Sequence, residues 1–73
     1  MKTDRAAVMS FYEHDAPGVL RVNLKWQGDH QIDDFKLESL GEVLDYGAEA
    51  KGTGWVTVRP RGLVHEGDEL RLR

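Results

Sequence analysis

The chain has 73 residues, 40% of them apolar and 32% charged, with no cysteine and a formal net charge of −3. A chain this short makes one domain with one modest core, removing only about 60% of its unfolded surface from water. Without cysteines it has neither a disulfide framework nor thiolate metal sites, and its longest apolar runs fall well short of the roughly 20 residues that span a bilayer, so packing alone has to hold it together.

Near the start, Lys2 and Arg5 are followed only by the short run Ala6-Ala7-Val8-Met9, which lacks the apolar centre of a secretory signal, so a cytoplasmic setting is expected. Val8, Met9, Phe11 and Tyr12 fit no single period, and Asp15-Ala16-Pro17-Gly18 is a turn-forming cluster. Residues 1–17 are therefore expected to form a flexible arm and residues 18–73 the folded domain. From 19 to 26 the pattern is strict alternation: Leu20, Val22, Leu24 and Trp26 share one face, while Val19, Arg21, Asn23 and Lys25 share the other, as in a half-buried strand. Gln27-Gly28-Asp29-His30 is a turn. Ile32, Phe35 and Leu37 then suggest an imperfect second strand, bulged at Asp33-Asp34.

Ser39-Leu40-Gly41-Glu42 has the spacing of a capping box, in which the serine hydroxyl accepts the N–H three residues on and the glutamate reaches back. Leu40, Val43, Leu44 and Ala48 then recur at three and four, and Lys51-Gly52 supplies a basic last turn and a left-handed stop. The spacing predicts a helix beginning at Ser39 and ending near Lys51, although Gly41 and Gly47 each weaken it by about 1 kcal/mol. A longer helix reaching back to Asp33 also fits the period, but the capping box favours the shorter one. Residues 54–59 alternate again, Pro60-Arg61-Gly62 is a turn, and Leu63-Val64 and residues 69–73 alternate around His65-Glu66-Gly67-Asp68. The expected fold class is α+β: a single small ββαββ domain with one helix packed on an antiparallel or mixed sheet.

Charge is unevenly distributed along this chain. Residues 27–50 hold seven acids (Asp29, Asp33, Asp34, Glu38, Glu42, Asp45, Glu49) against the single base Lys36, a net −6, whereas the flanking segments are mildly basic. A helix needs a solvated face and favours acid at its start, which accounts for Glu42. It does not account for Asp33, Asp34, Asp45 and Glu49. These five acids are the expected partner-binding face, and Trp55, opposite Val56 and Val58 in the alternation, is expected to be an exposed anchor beside Arg59 and Arg61.

Catalytic, metal-binding and cofactor-binding residues are not expected. The hydroxyls are few, and no Gly-x-Ser-x-Gly turn exposes a nucleophile. His14, His30 and His65 each lie near an acid, but their spacing matches no ligand motif. Gly52-Thr53-Gly54 lacks the lysine of a phosphate-binding loop. The alternative reading is a small nucleic-acid-binding module, with Trp55 as a stacking platform and Arg59, Arg61, Arg71 and Arg73 as a basic strip. The acidic block opposes it, because phosphate neutralisation supplies most of such affinity. Direct nucleic-acid and membrane binding are thus not expected, and a monomer is.

Two resemblances extend this reading. The ending Glu69-Leu70-Arg71-Leu72-Arg73 looks like the C-terminal strand of ubiquitin, and the order strand, turn, strand, capped helix, strand, strand is similar to that of β-grasp domains. That resemblance implies a carrier-like domain, one lacking the terminal Gly-Gly through which such carriers act. In addition, a cysteine-free, acidic chain of this size that starts Met1-Lys2-Thr3-Asp4-Arg5 and draws on Gly, Ala, Arg, Val and Asp resembles the small transcription regulators of lytic Xanthomonas phages. This second resemblance implies an inhibitor of bacterial RNA polymerase that contacts the N-terminus of the largest (β′) subunit and the nearby β flap. It further implies displacement of the sigma factor and antitermination. No family motif carries contact residues over, so the partner-binding residues rest on charge and exposure.

Overall fold

The structure, a computed structural model, describes residues 6–11 and 16–73. The alternation at 19–26 produces the strand it predicts, β2 (Leu20–Lys25), with Val22, Leu24 and the following Trp26 buried on one side. Its neighbours are β1 (Ala6–Phe11) and β4 (Thr53–Pro60), while β3 (Gly41–Ala48) and β5 (Glu69–Arg71) complete a five-stranded sheet in the order β3-β4-β2-β1-β5. Every pairing is antiparallel. Ala6–Phe11 lies within the stretch set apart as an arm from the sequence; here it is the strand between β2 and β5, with Ala7 and Met9 buried. The rest of that stretch, residues 1–5 and 12–15, lies outside the described residues.

The sheet curls into a half-barrel, and residues 32–40 cross its concave side. They form two short 3-10 turns, η1 (Ile32–Asp34) and η2 (Leu37–Ser39), in place of the bulged strand expected there. Ile32, Phe35, Leu37 and Leu40 point into the core against Val22, Leu24, Trp26, Val56, Val58 and Leu70. Phe35 is fully buried, its ring 5.1 Å from that of Trp26 and tilted by 47°. An apolar residue every two or three positions suits a chain that bends repeatedly and drops one side chain inward at each bend. Neither strand nor helix periodicity describes that spacing.

The same segment covers one edge of the sheet. Phe35 bridges to Leu72, Lys36 N–H donates to the Arg71 carbonyl at 2.9 Å, and Arg73 N–H donates to the Asp34 carbonyl at 2.9 Å. At its far end the Leu40 carbonyl accepts from Arg61 N–H at 2.9 Å. The segment therefore bonds β5 at one end and the end of β4 at the other, closing the mouth of the half-barrel.

The α+β class expected from the sequence is overturned: no α-helix occurs among the described residues, and the residues assigned to it form β3. The physical reason lies in the glycines. Gly41 sits at φ 150°, outside the helical region, where an added Cβ would overlap the Arg59 carbonyl oxygen. Gly52 at φ 82° closes the β3–β4 hairpin instead of ending a helix, since a left-handed glycine serves either purpose. Thr53 fixes that turn, its Oγ1 accepting from Ala50 N–H at 3.0 Å and donating to the Ala50 carbonyl at 3.2 Å. The anticipated capping box does not form, because the Ser39 hydroxyl donates to the Lys36 carbonyl at 2.7 Å within η2. Without a helix, the observed order of elements is not the strand, turn, strand, capped helix, strand, strand order on which the β-grasp resemblance drew.

Candidate functional site

The outer face of the sheet and its β3 edge carry most of the residues singled out from the sequence. A register shift between Val43 and Asp45 makes Leu44 the extra residue of a β-bulge. The bulge sets the charge pattern. Glu42 lies opposite Arg59 and Asp45 opposite Thr57, so two acids three residues apart in the chain occupy successive outer-face positions. In an unbulged strand they would face opposite ways. Glu42 pairs with Arg59 at 3.4 Å, both largely exposed, which is worth little on its own. The Asp45 carboxylate accepts its neighbour Tyr46 N–H at 2.9 Å, and Glu49 is exposed at the hairpin turn.

Trp55 is half-buried rather than openly displayed. Opposite it stands Gly47, whose missing side chain leaves room for the indole; a Cβ there would come within 2.9 Å of the ring. The Arg21 guanidinium lies over the ring, 4.5 Å from its centroid. One face of the supposed stacking platform is therefore already occupied. Arg61 is exposed beyond the end of β4, beside an open cleft lined by Met9, Leu40, Leu63 and Val64.

Asp33 and Asp34 belong elsewhere, on η1 beside the C-terminal end of the chain. Arg73 donates through Nε to the Asp33 carbonyl at 3.1 Å and pairs with Glu38 at 3.3 Å, while Asp34 Oδ2 accepts Gln31 N–H at 2.8 Å. The acidic third of the chain is thus split: Glu38 pairs with Arg73, which also bonds the backbone carbonyls of Asp33 and Asp34, while Glu42 and Asp45 lie on β3 and Glu49 just beyond its end. His30 has a side chain only 22% exposed and meets Phe35 edge-on at 5.9 Å. Among the described residues no three His, Cys, Asp or Glu side chains converge where a metal ion could be held. No helix among them is long and apolar enough to cross a membrane.

Sequence reasoning missed Arg21, Leu44, Tyr46 and Leu63. Arg21 was legible as an outward residue of β2, but its partner Trp55 depends on the β2–β4 register. Leu44 and Tyr46 were assigned to a helix and are instead 41% and 45% exposed along the edge strand. No family model matches this chain, and neither a curated protein nor a solved structure matches it.

Proposed function

We propose that this chain is a non-enzymatic protein–protein interaction domain that binds the RNA polymerase of a bacterial host. The observation that carries the binding role is the row of Glu42 and Asp45 on edge strand β3 with Glu49 at the hairpin beyond it, an acidic surface that attracts a basic partner and speeds its encounter. The choice of partner rests on the resemblance to phage transcription regulators. On this reading the protein acts as a monomer in the host cytoplasm, engages the N-terminus of the largest subunit and the nearby flap, displaces sigma from initiating polymerase and promotes antitermination.

Nucleic acid is the less favoured target. Arg59 faces Glu42 and Trp55 lies beneath Arg21, so neither is set out as a free phosphate or base contact. The test is capture of polymerase from a bacterial lysate at low salt, followed by in vitro transcription from a sigma-dependent promoter. Co-purification with loss of open-complex formation is expected. Failure of both rejects the reading. Charge reversal at Asp45 and Glu49 should weaken capture about tenfold or more if the acidic edge is the contact.

A further inference from the structure

The two edges of the sheet differ. β5 is covered by the Phe35–Leu72 bridge and the backbone bonds beside it, whereas among the described residues nothing pairs with the outer side of β3. Which groups β3 presents follows from the ladder. Glu49 N–H donates to the Thr53 carbonyl at 3.3 Å, so these two residues form a hydrogen-bonded pair. Antiparallel alternation then turns the N–H and C=O of Ala48 and Tyr46 away from β4, towards the open side. Tyr46 N–H is already engaged by the Asp45 carboxylate, a local substitute for a neighbouring strand's carbonyl.

We propose that β3 receives an extended basic segment of the partner as a sixth strand, main chain to main chain at Tyr46 and Ala48. This deepens the proposed interaction and rests on that reading. The side chains define the occupant. Asp45 and, through the carboxylate oxygen not turned to Arg59, Glu42 stand at successive outer-face positions and call for Lys or Arg at alternate residues of the incoming strand. On the other face, Val43 and the exposed Tyr46 continue the core row and take apolar residues between those bases. An incoming carbonyl that accepts Tyr46 N–H releases the Asp45 carboxylate to pair with the incoming cation. A second copy of this chain is a poor occupant, because its own β3 would bring Glu42, Asp45 and Glu49 against the same acids.

The probe is the synthetic peptide Lys-Val-Lys-Thr-Lys-Val-Lys, with a second version N-methylated at every peptide bond, which keeps the charge but leaves no backbone donor on either edge and so cannot form the ladder. Amide exchange of Tyr46 and Ala48 should slow at least about fivefold with the first peptide, and the methylated version should bind at least about tenfold more weakly. Equal binding by the two peptides, or protection that leaves β3 unchanged, overturns strand addition. With polymerase, the variant Ala48→Pro removes an outward donor without touching the bonds to β4, and its fold is checked by its amide spectrum. Folded Ala48→Pro that captures polymerase as well as wild type rejects strand addition and leaves the polymerase reading standing. Peptide protection of β3 without capture of polymerase rejects the polymerase reading and leaves strand addition standing.

Discussion

Arg21 and Trp55 stack across two strands without being direct register partners. Arg21 lies opposite Thr57 and Trp55 opposite Asn23, so the guanidinium reaches diagonally to lie 4.5 Å from the ring centroid. The contact is possible because Gly47, on the next strand, lets the indole settle onto the sheet.

Gly47→Val should displace Trp55 from that seat. An added Cβ meets the ring at 2.9 Å and the two methyls of valine add to the overlap, so the expected loss of stability is about 1–3 kcal/mol. Fluorine-labelled tryptophan resolves Trp55 from Trp26, and the Trp55 resonance should move while that of Trp26 stays. An unmoved Trp55 resonance would show that the indole does not depend on Gly47.

Gly41→Ala strikes the backbone itself. At φ 150° a non-glycine residue is strained, and its Cβ would overlap the Arg59 carbonyl, so a loss of about 3 kcal/mol is expected in chemical denaturation. In the helix anticipated from the sequence the same substitution would stabilise by about 1 kcal/mol. The sign of the change therefore discriminates strand from helix at this position.

Phe35→Ala removes the largest fully buried side chain among the described residues, which also anchors the segment covering β5. A cost of about 3–5 kcal/mol is expected, a large share of the stability of a domain this small. Hydrogen exchange should accelerate at Lys36 and Arg73, whose N–H groups bond across this junction, before it does in β2.

Arg73 and Glu38 test the acidic group at the other end of the fold. Both side chains are more than half exposed at 3.3 Å, so a double-mutant cycle with alanine should give a coupling below about 1 kcal/mol that shrinks with added salt. A coupling well above that value would mean that the pair is less solvated than its exposure indicates.

Local pattern by itself determined several elements here. Alternation gave away β2, much of β4 and the strand at Glu69–Arg71, because a half-buried strand imposes a period of two on its own residues whatever it pairs with. The uneven charge, the lack of cysteines and the turns near Gly18, Gly28 and Gly62 were equally local. Residues 39–52 were different, since Leu40, Val43, Leu44 and Ala48 suit a helix and the same glycines suit a hairpin. Pairing of Gly41–Ala48 with Thr53–Pro60 decided the matter, by placing Gly41 against the Arg59 carbonyl and Gly47 beneath Trp55. Tertiary structure alone also separated Asp33, Asp34 and Glu38, near the C-terminal strand, from the acids of the β3 edge, and buried Phe35 completely in the core. Each of those outcomes depends on which distant residues the strand order brings together, and such contacts leave no period in the chain.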